Sequence, residues 1–394
     1  MSCPISIDDI KTIEQDIIHY RRTIHLHPET GFAEFKTSEM VAGLLEEFGL
    51  EVIKGIAKTG VIGILKGQEQ GKTIALRADM DALNIQEEVQ TEYTSRVDGK
   101  MHACGHDAHT AMLLGAAKVL STTREKIKGT VKFVFQPAEE GPAPGGGSLI
   151  MASGHLDDVD AVFAIHVNPI FETGQIGICK KEAMASTDFF EIELIGKGGH
   201  AAEPQTTIDP IIMAGQMLCA FQNIVSREIN PVEPAVLSVC TINGGNQFNA
   251  IPEKVTMTGT VRTLCEDTRE RIFRRMEEII THIAGMHNGR YVFDRKRGYP
   301  ALVNHENMVE FVRGVGNDLL GEEKVILLDK PTMGGEDFAY FLQKIPGALF
   351  WLGCENEAKG ITEMLHNPNF LMDEDALILG TAMHANLAHH YLNA

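Results

Sequence analysis

Four short apolar runs in the first half of the chain limit its fold more than any other feature. They are VIGIL from Val61, TIALRAD from Thr73, TVKFVFQ from Thr130 and AVFAIHV from Ala161. Each is rich in Val, Ile or Phe and ends in polar or turn residues, as a buried strand does. Helix-period segments lie between them, over Thr37 to Phe48 and Ala108 to Leu120. This alternation predicts an α/β fold: a sheet with helices on both faces.

The texture changes near Ala185. FFEIELIG from Phe189 alternates as a half-buried strand should, and a helix follows over Asp209 to Ser226 with Pro210 in its first turn. AVLSVCTI from Ala235 and KVTMTGTVRT from Lys254 alternate too, and a second helix runs from about Asp267 to Met286. One polar sheet face and two helices make a small α+β layer. From about Gly298 the α/β texture returns. The expected organisation is a discontinuous domain, residues 1–184 and 297–394, carrying an inserted domain over residues 185–296. GPAPGGGS from Gly141 reads as a flexible loop.

The buried runs end on unusual residues. TIALRAD carries Asp79 and is followed by Asp81; Glu139 and Glu140 follow TVKFVFQ; His166 closes AVFAIH. Charges left unpaired near a core are costly, and open α/β sheets bind ligands beyond the carboxyl ends of their strands. In HACGHDAHT, Cys104 and His106 stand one residue apart, just before a helix. A helix N-terminus favours the thiolate there. Asp, Glu, His and Cys brought to one sheet edge read as a metal centre. Consecutive side chains diverge, so one of Glu139 and Glu140 is expected to bind metal and the other to act as general base. A Cys ligand favours a borderline or soft ion: Zn²⁺ by default, with Mn²⁺, Co²⁺ or Ni²⁺ as alternatives.

Composition narrows the partners. The formal net charge is -19 over 394 residues, without the basic stripe that nucleic acid requires. No apolar stretch approaches the roughly 18 residues of a membrane span. The start, MSCPISIDDI, lacks the basic and apolar pattern of a secretory signal. Seven scattered cysteines without a CxxC pair suit a reducing compartment. The expectation is a cytoplasmic protein with neither nucleic-acid nor membrane partners.

Eight segments, in order, resemble the M20 metallopeptidase family. They are RRTIHLHPETGFAE from Arg21, ALRADMDAL from Ala75, HACGHDAHTAML from His102, FQPAEEG from Phe135, GKGGHAAEP from Gly196, FNAIPE from Phe248, GGEDFAYF from Gly334 and LHNPNF from Leu365. The branch resembled is that of hippurate hydrolases, indoleacetyl-amino-acid hydrolases and N-acyl-amino-acid deacylases. The resemblance implies a zinc-peptidase-like catalytic domain with a central mixed sheet, plus an inserted lid that also forms a homodimer contact, with a higher oligomer as an alternative. It implies two divalent ions on Cys104, His106, Glu140, His166 and His366, with the thiolate bridging. Glu139 resembles the general base, and Asp81 the carboxylate that orients a ligand. His200 resembles a residue that polarises the scissile carbonyl from the partner subunit. Asn249, Arg262 and Gly335 resemble substrate contacts; Arg262 could equally be a solvated charge ending a strand. His25, His27 and His109 are expected to be structural, and Met112, Leu113 and Leu114 helix core. Asn84 stands where the family usually has proline, which predicts a small loop change.

The implied chemistry is hydrolysis of the amide bond of an N-acylated amino acid to a carboxylic acid and a free amino acid. Glu139 takes a proton from water, His200 helps to stabilise the oxyanion, and Glu139 returns the proton to the leaving amine. An N-acetyl-diaminopimelate deacetylase and a di- or carboxypeptidase are alternatives within the family. A Cys104 nucleophile and a catalytically silent binding protein are alternatives outside it.

Overall fold

The computed structural model describes residues 4–393 and divides into two compact units. The first comprises the chain up to Ala183, Val303–Pro331 and the chain from Asp337 onward; the second comprises Met184–Leu302 and Thr332–Glu336.

Among the described residues of the first unit, eight strands form one mixed sheet. Its spatial order is Glu51–Ile56, Gly60–Lys66, Lys128–Gln136, Glu69–Asp79, Ala161–Glu172, Gly347–Glu355, Ile176–Cys179 and Val325–Leu328. Strand Glu69–Asp79 pairs in parallel with Lys128–Gln136 on one side and Ala161–Glu172 on the other. Parallel central strands are covered on both faces, which is why they read as unbroken apolar runs. The register sets Asp79 beside Gln136, and Arg77 beside both Val134 and Ala164. Three parallel strands therefore deliver their polar C-terminal residues to one sheet edge.

Helix His106–Thr122 is apolar nearly all round, with Met112, Leu113 and Leu114 fully buried. Such a helix can only be interior. It packs between helices Glu14–Leu26 and Asp375–Asn393 and the strand Glu69–Asp79. Truncating Leu113 to Ala would cost about 2–5 kcal/mol. The position of the expected proline, Asn84, is exposed and follows Leu83, whose N–H and C=O both pair with Met101.

In the second unit an antiparallel sheet runs in the order Ala235–Gly244, Lys254–Thr263, Asp188–Ile195, Arg290–Lys296. Buried and half-exposed residues alternate along Asp188–Ile195, and the buried face packs on helices Pro210–Asn223 and Glu266–Met286. The first of these helices begins with Pro210, and the Asp209 carboxylate accepts the Ile211 N–H, satisfying one of the four free donors at the helix start. Asp188 and Arg269, both buried, form a two-pronged ion pair at 2.5 and 2.8 Å. Removing one partner of such a pair strands a buried charge, at about 3–5 kcal/mol. Strand Arg290–Lys296 gave no signal in the sequence, because its alternation runs between exposed and half-exposed residues.

Candidate metal centre

Cys104 and His106 flank the start of helix His106–Thr122, and His166 lies near the middle of strand Ala161–Glu172. His166 Nε2 is 3.5 Å from Cys104 Sγ. His366 comes from far along the chain; its N–H donates to the Ala103 carbonyl, which sets its Nε2 3.3 Å from the same sulfur. His366 Nε2 and Glu140 Oε1 are 3.0 Å apart, yet not aligned as a hydrogen bond. Two donor triads result, Cys104–His106–His166 and Cys104–Glu140–His366, each with its ligand atoms within 4.8 Å of one another. Cys104 belongs to both.

Hydrogen bonds on the far ring nitrogens aim these groups. His106 Nδ1 is 3.2 Å from Asp81 Oδ1, and its buried Nε2 has no hydrogen-bond partner. His166 Nδ1 donates to the Val167 carbonyl at 2.7 Å. Each ring thus turns an Nε2 lone pair toward the cluster. His109 differs. Its Nε2 accepts the Val167 N–H at 2.9 Å, so its Nδ1–H donates to Asp79 at 2.5 Å. With both nitrogens engaged it has no lone pair to offer an ion. His25 is likewise occupied, between Asp107 at 2.8 Å and Glu87 at 3.2 Å.

The electrostatics suit a cation. Burial pushes the Cys104 thiol up, but His106 and His166 more than offset this and bring it to about 6. The Cys104 sulfur and the Glu140 carboxylate beside it hold the His366 imidazole up at about 10. Asp79 lies well below the usual carboxylate range; burial raises it, but His106, Arg77 and His109 overcome that. Thiolate and carboxylates concentrate negative potential where the imidazoles meet, and a bound cation would take the place of the protons those rings otherwise hold. One sulfur, three imidazoles and a carboxylate are the donors expected of a borderline divalent ion.

Glu139 and Glu140 follow Ala138, a non-glycine residue in the left-handed region at φ 53°. The Glu139 N–H donates to Asp81 Oδ1 at 3.1 Å and the Glu140 N–H to Asp81 Oδ2 at 2.9 Å. Glu139 is buried, and its Oε1 accepts the Asp337 N–H at 3.4 Å.

Residue-by-residue reading did not anticipate the support beneath this turn. Arg77 binds Asp79 at 2.7 Å and Asp337 at 3.0 Å, and Asp337 also accepts from Gln136 and the Gly147 N–H. The available signal was a lone Arg inside an otherwise apolar strand, since a buried guanidinium demands acid partners.

The remaining candidates lie in the second unit, in two places. His200 pairs with Ala250, next to Asn249, whose carbonyl accepts the Ala201 N–H. His200 is exposed, and its Nδ1 accepts the Ala202 N–H at 3.0 Å. That fixes Nε2–H as the outward donor. Arg262 and Gly335 come together elsewhere. A Cβ on Gly335 would meet Thr187 at 2.0 Å and lie 3.5 Å from an Arg262 nitrogen. Arg262 is half-buried, donates to Thr260 Oγ1 at 3.2 Å, and among the described residues forms no ion pair. Burial lowers its pKa, only partly offset by Asp188.

Comparison with known proteins identifies the family. The chain is 41% identical over 388 residues to "Thermostable carboxypeptidase 2" of Saccharolobus solfataricus, spanning 98% of both chains. It is 41% identical over 380 residues to "IAA-amino acid hydrolase ILR1-like 4" of Arabidopsis thaliana, spanning 95% of this chain and 86% of the relative. A crystal structure from Bacillus subtilis, described as a dinuclear metal-binding peptidase of the M20 family, superposes with a TM-score of 0.84 at 36% identity, over 97% of this chain and 99% of that one. The profile of Peptidase family M20/M25/M40 matches residues 75–390, and the chain belongs to that family.

Proposed function

We propose that this protein is a metal-dependent amidohydrolase that cleaves N-acylated amino acids to a carboxylic acid and a free amino acid. The observation that carries the reading is the pair of donor triads sharing Cys104, with the buried Glu139 carboxylate beside them. We assign two divalent ions to Cys104, His106, Glu140, His166 and His366, with Zn²⁺ first and Mn²⁺, Co²⁺ or Ni²⁺ as alternatives. A relative named an IAA-amino acid hydrolase supports this substrate class, and one named a carboxypeptidase supports the peptidase alternative.

When bound, such ions polarise an amide carbonyl and make water acidic enough to ionise near neutral pH. The protein's own residues do the rest. Glu139 holds the proton taken from water and delivers it to the leaving nitrogen. Asp81 fixes the backbone on which Glu139 stands. His200 Nε2–H donates to the developing oxyanion, and we assign this His200 to the partner of a homodimer. Arg262 grips the substrate carboxylate, with the Gly335 loop beside it and Asn249 as a further substrate contact.

The second unit's surface supports dimerisation. Strand Ala235–Gly244 is an edge, exposed from Cys240 onward, and an open edge is a template for pairing with another chain. Ile211, Ile212, Ile242 and Phe248 are exposed, Phe248 to 97%. No helix among the described residues is long and apolar enough to cross a membrane. Cys219, Cys240 and Cys265 are free and exposed, which favours the reducing cytoplasm as its location.

The test is a substrate panel: acetyl-, benzoyl-, indoleacetyl- and long-acyl amino acids, N-acetyl-diaminopimelate and dipeptides, scored by amine release. Release from simple N-acyl amino acids is expected. Cleavage of dipeptides alone would favour a peptidase, and binding without any turnover a silent binding protein. Sharing of His200 is tested by exchanging subunits between inactive His200→Ala and Glu139→Ala dimers. Activity should reappear, because one site in each mixed dimer is intact; proven exchange without recovery contradicts the shared site.

A further inference from the structure

The segment Glu29–Glu34 belongs to a sequence motif, HPETGFAE, that the metal centre does not use. It clasps two of the three strand ends that build the centre. The Glu29 carbonyl accepts the Ala82 N–H at 2.8 Å, and Thr30 bridges Ala82, immediately after Asp81. Glu34 is fully buried. Its Oε1 accepts the Ala138 N–H at 2.8 Å and its Oε2 accepts the Thr59 hydroxyl at 2.6 Å. Gly31 lies so close to the same turn that a Cβ there would sit 1.9 Å from the Gly141 carbonyl oxygen and 3.1 Å from Ala138 Cβ.

The left-handed conformation at Ala138 is unfavourable for an L-residue by roughly 1–2 kcal/mol. Something must hold it, and among the described residues the side-chain acceptor on the Ala138 N–H is Glu34. Three consecutive N–H groups, those of Ala138, Glu139 and Glu140, are therefore each taken by a carboxylate, the first by Glu34 and the next two by Asp81. A fully buried carboxylate is costly unless its hydrogen bonds are made. An apolar residue filling the same space would serve packing alone with less cost.

We propose that Glu34 is a positioning residue for the Glu139–Glu140 turn. It fixes the strained Ala138 so that Glu139 faces the reacting water and Glu140 faces the ion cluster. The inference rests on the roles assigned above to those two glutamates. The Glu34 carboxylate accepts from Ala138 and Thr59 and is not one of the assigned ligands. Groups that support metal ligands in this way typically change affinity or activity by roughly 10–100-fold.

The experiment compares wild type, Glu34→Ala, Glu34→Gln and Ile10→Ala, which truncates a fully buried core residue that is not part of the metal centre. It measures kcat and KM on the best N-acyl amino acid, Zn²⁺ affinity of the metal-free protein by calorimetry, and thermal stability. Glu34→Ala should lower kcat about 10–100-fold with KM little changed, and should weaken Zn²⁺ binding. Glu34→Gln keeps an oxygen acceptor for Ala138 and should recover most of both. Ile10→Ala should lose stability alone. Should Glu34→Ala not fold, Glu34→Asp decides, since its carboxylate keeps the charge but stops one methylene short of Ala138. Wild-type kcat and Zn²⁺ affinity in the folded Ala or Asp variant would overturn the proposal, as would a Gln variant no better than Ala. A wild type that neither binds Zn²⁺ nor turns over any substrate would instead refute the functional reading on which the proposal rests.

Discussion

Asp81 and Glu139 are joined by a 3.1 Å hydrogen bond from the Glu139 N–H to Asp81 Oδ1, and the same oxygen lies 3.2 Å from His106 Nδ1. One carboxylate therefore sets the backbone of the proposed base and the tautomer of a proposed ligand. Asp81→Asn cannot satisfy all of its present donors, because its amide nitrogen would face the Glu140 N–H in one orientation and both the Glu139 N–H and the imidazole N–H in the other. We expect roughly 10–100-fold losses in both Zn²⁺ affinity and kcat. Calorimetry on the metal-free variant beside steady-state kinetics checks this; a variant with wild-type affinity would remove Asp81 from its assigned role.

The adjacent glutamates should separate cleanly. Glu139→Gln should retain metal while kcat falls by about 10²–10⁴-fold, the usual weight of a positioned proton-transfer group. Glu140→Gln should lower metal occupancy. Elemental analysis and kinetics on both variants distinguish them, and exchanged phenotypes would reverse the assignment.

Much of this was legible in the chain because parallel central strands must be apolar. VIGIL, TIALRAD, TVKFVFQ and AVFAIHV all became strands of the large sheet. Polar residues ending such strands could be recognised as displaced from a core without knowing what they contact. Strands Glu51–Ile56 and Val325–Leu328 were not legible, since they lie at the two sheet edges and are only partly buried. His366 could not be placed by spacing. Its position depends on a long-range N–H bond to Ala103 and on a left-handed backbone at φ 65°, neither of which leaves a local pattern. Glu34 was passed over for a similar reason: an acid just before a helix reads as a solvated charge until Ala138 is brought against it.

His384 makes a prediction about stability alone. It is fully buried in helix Asp375–Asn393, and neither ring nitrogen has a hydrogen-bond partner. Burial, with a smaller electrostatic contribution from His109, pushes its pKa down to about 3. The unfolded residue, near 6.5, binds a proton that the folded one refuses until about pH 3. Stability is therefore complete above pH 6.5 and declines as pH falls through that window. His384→Leu should remove this slope. Urea denaturation of metal-free protein should show the variant gaining about 2 kcal/mol on wild type between pH 7.5 and pH 5. An unchanged difference between the two pH values would mean that His384 is protonated in the fold.

The most direct test of the central claim is metal content measured against activity. Protein dialysed against a chelator should contain no divalent metal by elemental analysis and should release no amino acid from its best N-acyl substrate. Adding Zn²⁺, Mn²⁺ or Co²⁺ should restore turnover as two ions bind per chain. Cys104→Ser should bind both more weakly, because its sulfur belongs to both donor triads. Full turnover by protein shown to be metal-free would contradict the account.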